Sequence, residues 1–173
     1  MDNLRVETKA AIEALIAIFD ATSEGRRESL NVYGIEFDPV KFFFTSFLCY
    51  LSIVDGTVSW DECEVIEYYL DISFAPEELA SFVGSFGIAT KFPSKVPNIL
   101  DRFIEADNEL YEAGEKVDTY SSELLSTVCK MLAIDLITSD GEAENIESSK
   151  SHEYLTMIDT YIYEHLAARK FFK

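Results

Sequence analysis

The chain is short of positive charge: 14 Lys and Arg stand against 32 Asp and Glu, which leaves a net charge of −18 over 173 residues. Nucleic-acid affinity is built largely from Lys and Arg contacts to phosphate, so DNA, RNA and anionic membrane surfaces are excluded as expected partners. Cysteine is scarce as well. Cys49, Cys63 and Cys129 are an odd number at wide spacings without a Cys-x-x-Cys pair, which argues against a disulfide scaffold and against a structural zinc site. His152 and His165 are 13 residues apart, nearly four helical turns, and cannot share an ion from one helix. No apolar run reaches the ~18 residues a membrane span needs. The longest, Phe42 to Val54, is interrupted by Thr45, Ser46 and Ser52 and stops at Asp55. The N-terminus carries acidic residues where a secretion signal would be basic. A soluble, intracellular protein of the cytoplasm is the expectation, with no membrane insertion. Phosphate-binding loops, dinucleotide fingerprints, GxSxG and HExxH are all missing, and Cys49 and Cys129 sit in apolar stretches where burial would raise their pKa values. No catalytic residue is assigned and the chain is read as a non-enzyme.

What is present is apolar material in helical register. With 48% hydrophobic residues in 173, the expectation is one domain, 1–173, with a substantial core. Ile12, Leu15, Ile16 and Phe19 recur at spacings of three and four, which places them on one face of a helix. Asp38-Pro39 is a helix start, and the KFFFTSFLCYLSIV stretch behind it is apolar almost all round, as a helix in the middle of a bundle would be. Ser59 and Glu62 form a Ser-x-x-Glu capping box, with Trp60, Cys63, Ile66, Tyr69 and Leu70 as the inner face of the helix they open. Pro76 starts another helix, and GIATKFPSKVP is a mid-chain linker. Ile99, Leu100, Phe103 and Ile104 face inward from a helix over Pro97 to Ala113. Ser121 or Ser122 caps the next, and a long helix from about His152 to Arg169 closes the chain. The fold class is all-α: seven or eight helices in a bundle of two similar halves, roughly 1–90 and 95–173.

The halves are related by a motif. Gly56 and Gly141, 85 residues apart, each follow an apolar helix and an Asp, and each is followed six residues later by a Glu. Two copies at matching places suggest internal duplication. One account of Asp-Gly-x5-Glu is helix-loop-helix grammar, with Gly ending one helix and Glu capping the next. The other is a hard-cation site, with Asp55 and Glu62 in the first copy and Asp140 and Glu147 in the second. An EF-hand is excluded, because its first and third ligand positions would be Leu51 and Ile53, which have no side-chain oxygen. Asp135 stands apart: it shares a helical face with Val128, Met131 and Leu132, where an unpaired carboxylate is expensive. A cation, or an Arg from elsewhere, would resolve that.

An all-helical chain with two copies of an apolar helix running into DG-x-apolar-x-x-x-E resembles the TerB-like (tellurite-resistance B) family, on FLCYLSIVDGTVSWDECEVI and VCKMLAIDLITSDGEAENIE. The resemblance implies a small non-enzymatic module in stress response that acts through a protein partner. It also implies metal binding at Asp55, Glu62, Asp140 and Glu147, with Ca²⁺ or another divalent cation weakly held; Asp135 joins them on the anomaly just described. The alternatives are a metal-independent acidic interaction or scaffold protein engaging a basic partner, and a metal-assisted hydrolase using carboxylates around Asp135. Oligomeric state is left open by the residues.

Overall fold

The computed structural model describes residues 2–22, 30–32, 35–54, 56–88, 92, 95–139 and 145–172; for residues 2, 30–32, 35–37, 86, 145–147 and 170–172 it describes the backbone alone. Among the described residues there are seven α-helices: α1 Asp2–Thr22, α2 Pro39–Ser52, α3 Trp60–Leu70, α4 Pro76–Phe86, α5 Asn98–Glu112, α6 Ser121–Ile137 and α7 Asn145–His165, followed by a 3-10 turn over Ala167–Phe172. The expected all-helical class holds. The connection between α1 and α2 contains a short antiparallel ladder, β1 Leu30–Val32 and β2 Ile35–Phe37, in which Asn31 is paired with Glu36.

Local chemistry explains most helix ends. The Asp38 carboxylate accepts from the amides of Val40 (2.8 Å) and Lys41 (3.2 Å), and Pro39 occupies a first-turn position whose missing N–H leaves nothing unpaired. At α4, Glu78 Oε2 accepts from the Ala75 amide at 2.9 Å, and Gly87 closes the helix in the left-handed region at φ 60°. Asp71 closes α3 in the same region at φ 57°, without glycine's freedom. Two ion pairs hold it: Lys9 Nζ lies 2.8 Å from Oδ1, and Lys41 Nζ lies 3.7 Å from Oδ2.

Helices α2 and α6 form the centre. In α2 every residue from Phe43 to Ser52 is buried, and α6 packs against α1, α2, α3, α5 and α7. Each fully buried Leu or Phe in such a core contributes ~1.5–3 kcal/mol. The aromatic content is concentrated where α2 meets α7: Tyr154 stacks on Phe47 and Phe92, at centroid distances of 5.7 and 4.7 Å. All three cysteines are free and buried, and burial pushes the Cys63 thiol up to about 11.

Three local expectations are corrected. Helix α7 begins at Asn145 rather than near His152, because its first two turns (NIESSKS) lack the apolar stripe that periodicity detects. Arg169 is not in that helix but in the 3-10 turn, where it pairs with Glu123. Trp60 is 65% exposed rather than inward. It is the first residue of α3, where the general tilt of helical side chains toward the N-terminus carries them past the helix end.

Candidate functional site

The two Asp-Gly segments join helices at equivalent places in the chain. Helix α2 ends at Ser52 and α6 at Ile137; α3 opens at Trp60 and α7 at Asn145, so both boundaries are separated by the 85 residues that separate the glycines. Gly56 has φ 93°, a conformation that favours glycine. Asp55, Asp140 and residues 141–144 lie outside the described residues, as does the side chain of Glu147.

The Glu62 side chain is described, and it is turned into its own helix end. It is 4% exposed, and its Oε2 accepts from the Ser59 amide (2.7 Å) and the Ser59 hydroxyl (3.0 Å), while the Glu62 amide donates to Ser59 Oγ (3.2 Å). Such a reciprocal cap satisfies two orphan amides of the first turn and places the carboxylate at the positive end of the helix dipole.

Asp135, 6% exposed on α6, has its cation supplied by the protein. Arg5 of α1 donates from Nη2 to Oδ1 at 3.0 Å, and its Nε lies 2.8 Å from Oδ2. The Tyr69 hydroxyl of α3 donates to Oδ2 at 3.0 Å. The hydrogen bond to Asp135 raises the Arg5 pKa, and burial, followed by the Asp135 charge, raises that of Tyr69, so both donors hold their protons. Lys9 and Arg5 lie over the Tyr68 ring at 5.5 and 5.6 Å, completing a cationic seam between α1 and α3. Both oxygens of Asp135 are thus engaged within the fold.

A third buried carboxylate escaped the sequence reading. Asp107, 1% exposed on α5, caps α6 from the side: Oδ1 accepts from the Ser121 amide (2.9 Å) and hydroxyl (2.7 Å), and Oδ2 from the Ser122 amide (2.8 Å) and hydroxyl (2.6 Å). Ser121 and Ser122 therefore do not cap α6 themselves; the residue preceding the helix, Tyr120, makes no side-chain cap, and the serine hydroxyls donate to Asp107. The signal was present, since Asp107 lies four residues past Phe103 and three past Ile104 on the buried stripe of α5, the same anomaly that singled out Asp135.

Among the described residues no three His, Cys, Asp or Glu side chains gather to hold a metal ion. His152 and His165 are exposed, and His165 stacks on Tyr161 at 4.0 Å. Tyr161 donates to Asp101 at 2.6 Å, whereas Tyr163 is 44% exposed; the side chains of Phe171 and Phe172 lie outside the description. On α6 and α7, Asp159 accepts from Ser126 (2.5 Å) and pairs with Lys130 (2.7 Å).

A run of exposed acids lies on α5 and beyond it. Asp101, Glu105, Glu109 and Glu112 are exposed along α5, and Glu115 and Asp118 continue them on the connection to α6. Beside them runs a largely apolar groove of about 410 Å³, walled by Ile18, Leu110, Ala113, Val117 and Tyr120, with Leu110 41% and Val117 36% exposed. Asp107 and Ser121 form part of its wall, so the buried cap also sets its shape.

No protein-family model, no curated protein and no solved structure matches this chain, and none of these comparisons identifies it as TerB-like. Among the described residues no helix is long and apolar enough to cross a membrane.

Proposed function

We propose that the protein is a non-enzymatic, metal-independent interaction module that receives a basic amphipathic segment of a partner protein in the groove between α1, α5 and the α5–α6 connection. The observation that carries this reading is the combination, at one place, of exposed apolar side chains (Leu110, Val117) with a run of exposed carboxylates from Glu109 to Asp118. Apolar burial supplies affinity and the carboxylates supply orientation and a fast encounter, as in helix-in-groove recognition. Isolated exposed apolar residues need no explanation. Here they border a cavity of about 410 Å³ with the exposed Glu109 in its wall, and Lys116 is the sole cation between Glu109 and Asp118. Among the three buried carboxylates, Glu62 and Asp107 cap helices and Asp135 holds an ion pair, which supports assigning them to folding rather than to catalysis or metal. The 85-residue offset shared by both helix junctions supports descent of α2–α3 and α6–α7 from a duplicated helix pair.

The test uses two synthetic helical peptides of equal positive charge, one Lys/Leu amphipathic and one Lys/Ser, titrated into the labelled full chain and followed by amide chemical shifts. The expected outcome is that the Lys/Leu peptide perturbs Ile18, Thr22 and residues 106–121, and binds at least about ten-fold more tightly than the Lys/Ser peptide. Leu110→Ser with Val117→Ser should abolish that preference, and affinity should fall as salt screens the carboxylates. Equal affinity for both peptides, with shifts scattered over the surface, would show charge attraction without a site and reject the reading.

A further inference from the structure

A second cavity, remote from the acidic groove in composition, lies where α2, α7 and the start of α5 meet. It has a volume of about 450 Å³, and its walls are Phe42, Ile88, Phe92, Val96 and Pro97, with Ser46, Tyr154, Lys95 and Asn98 as the polar residues. That volume falls within the range of small-molecule sites, which are typically apolar clefts with a few placed polar groups.

Two features set the cavity apart from a packing defect. The Ser46 and Tyr154 hydroxyls are both buried and both lack a hydrogen-bond partner among the described residues. Local geometry offers a remedy that Ser46 does not take: in the same helix Thr45 donates to the Lys41 carbonyl at 2.8 Å and Ser52 to the Leu48 carbonyl at 3.1 Å, whereas the Ser46 hydroxyl has no partner among the described residues. A buried unmade hydrogen bond is costly and is rare without a reason. Burial also raises the Tyr154 pKa, so its phenol remains a donor at any physiological pH. The second feature is charge. On a chain with 32 acidic residues, none of the nine described residues lining this cavity is acidic, and among them stands one exposed cation, Lys95. The nearby Glu153 is paired with Lys150 at 2.9 Å. Among the described lining residues the polar ones, Ser46, Tyr154, Lys95 and Asn98, all have donor groups, the rest are apolar, and none is a carboxylate.

We propose that this cavity binds a small hydrophobic carboxylic acid, with its apolar body against Phe42, Ile88, Phe92 and Val96 and its carboxylate oxygens accepting from Ser46, Tyr154 and Lys95. The aromatic walls favour an aryl body over a branched aliphatic one, because offset ring stacking adds to area burial. Both hydroxyl oxygens are sealed by their surroundings, so the acid engages them as the side chains at the cavity wall shift around it. Neither hydroxyl gives up a protein partner in doing so.

The experiment is calorimetric and NMR titration of the full chain with 3-phenylpropionate, and with 3-phenylpropanol as the uncharged isostere. Saturable binding tighter than about 1 mM is expected for the acid, with amide shifts confined to α2, Ile88 to Asn98 and α7 around Tyr154. The alcohol, Lys95→Glu, and the pair Ser46→Ala with Tyr154→Phe should each weaken binding by about ten-fold or more, since each removes a charge-assisted hydrogen bond. Val96→Trp, which fills the cavity, should abolish it. The paired hydroxyl variant deletes only atoms without partners, so it should fold with an unchanged or higher melting temperature. Absence of saturation at ~10 mM acid would overturn the proposal. So would binding that is indifferent to both the hydroxyl pair and Lys95, because Ser46 and Tyr154 would then be packing residues beside an unspecific apolar cleft.

Discussion

The polar inclusions in the core are of two opposite kinds. At the α1–α3–α6 junction Asp135 meets Arg5 and Tyr69, and at the α5–α6 junction Asp107 accepts from two amides and two hydroxyls. At the α2–α7 junction the hydroxyls of Ser46 and Tyr154 are also buried and have no hydrogen-bond partner among the described residues. Polar groups in a low-dielectric interior stabilise a fold when satisfied and strain it when not. The contrast separates residues that hold the protein together from residues left available for something that arrives later. The buried carboxylates of Glu62, Asp107 and Asp135 are engaged by groups of the fold, whereas none of the described residues lining the proposed ligand cavity is acidic.

The contrast can be broken most forcefully at Asp107. Asp107→Ala orphans two buried amides of α6 and two serine hydroxyls, and should lower unfolding free energy by about 3 kcal/mol, read from denaturant midpoints. Asp107→Asn should recover part of it, because one amide oxygen still accepts. A smaller loss, ~2 kcal/mol, is expected for Arg5→Ala, which leaves Asp135 buried with only Tyr69; Arg5 is about one-third exposed, so the figure lies below that of a sealed pair. Replacing the whole junction with Arg5→Met, Tyr69→Phe and Asp135→Leu should return stability to within ~1 kcal/mol of the parent, since a pair deleted together leaves no orphan. Were the triple variant as unstable as Arg5→Ala, the junction would be contributing more than mutual satisfaction.

Glu62→Ala should cost ~1 kcal/mol, the ordinary value of a helix cap. Calcium at millimolar concentration should leave that difference unchanged; a larger deficit for the variant only in the presence of Ca²⁺ would restore a metal role for the loop. The Asp71 carboxyl is held below its ordinary pKa chiefly by its hydrogen bond to Lys9. A depressed folded-state pKa gives stability that is present above the unfolded pKa, near 4, and fades as pH falls through the lower folded value. The parent should therefore lose slightly more stability than Lys9→Met between about pH 4.5 and 2.5. The smallest effect is reserved for the unsatisfied inclusion: Ser46→Ala and Tyr154→Phe should lower stability by less than ~0.5 kcal/mol or raise it, unlike Asp107→Ala and Arg5→Ala.

Much of this architecture is written in short-range signals. Asp38-Pro39, the Ser59/Glu62 box and the all-round apolar α2 correctly place a helix start, a cap and a central helix, because a cap requires only residues within one turn and burial of a helix shows in its own composition. The start of α7 was hidden for the complementary reason: two polar turns carry no periodic stripe. Asp135 was legible as an anomaly, but its partner was not, since Arg5 is 130 residues away. Asp107 shows the same limit, for its four donors stand 14 and 15 residues on and at the head of another helix.

The sequence by itself determined the helical class, the central place of α2, the burial of the cysteines and the need for Asp135 to find a cation. These follow from composition and from spacings within a few turns. Only tertiary structure decided that the cation is Arg5, that Asp107 caps α6, that a groove lies beside the carboxylates of α5, and that Ser46 and Tyr154 line one apolar cavity with hydroxyls that have no partner among the described residues. Each of those is a meeting of side chains from different helices, and the distance between helices is set by how the whole core packs, which no local stretch of chain encodes.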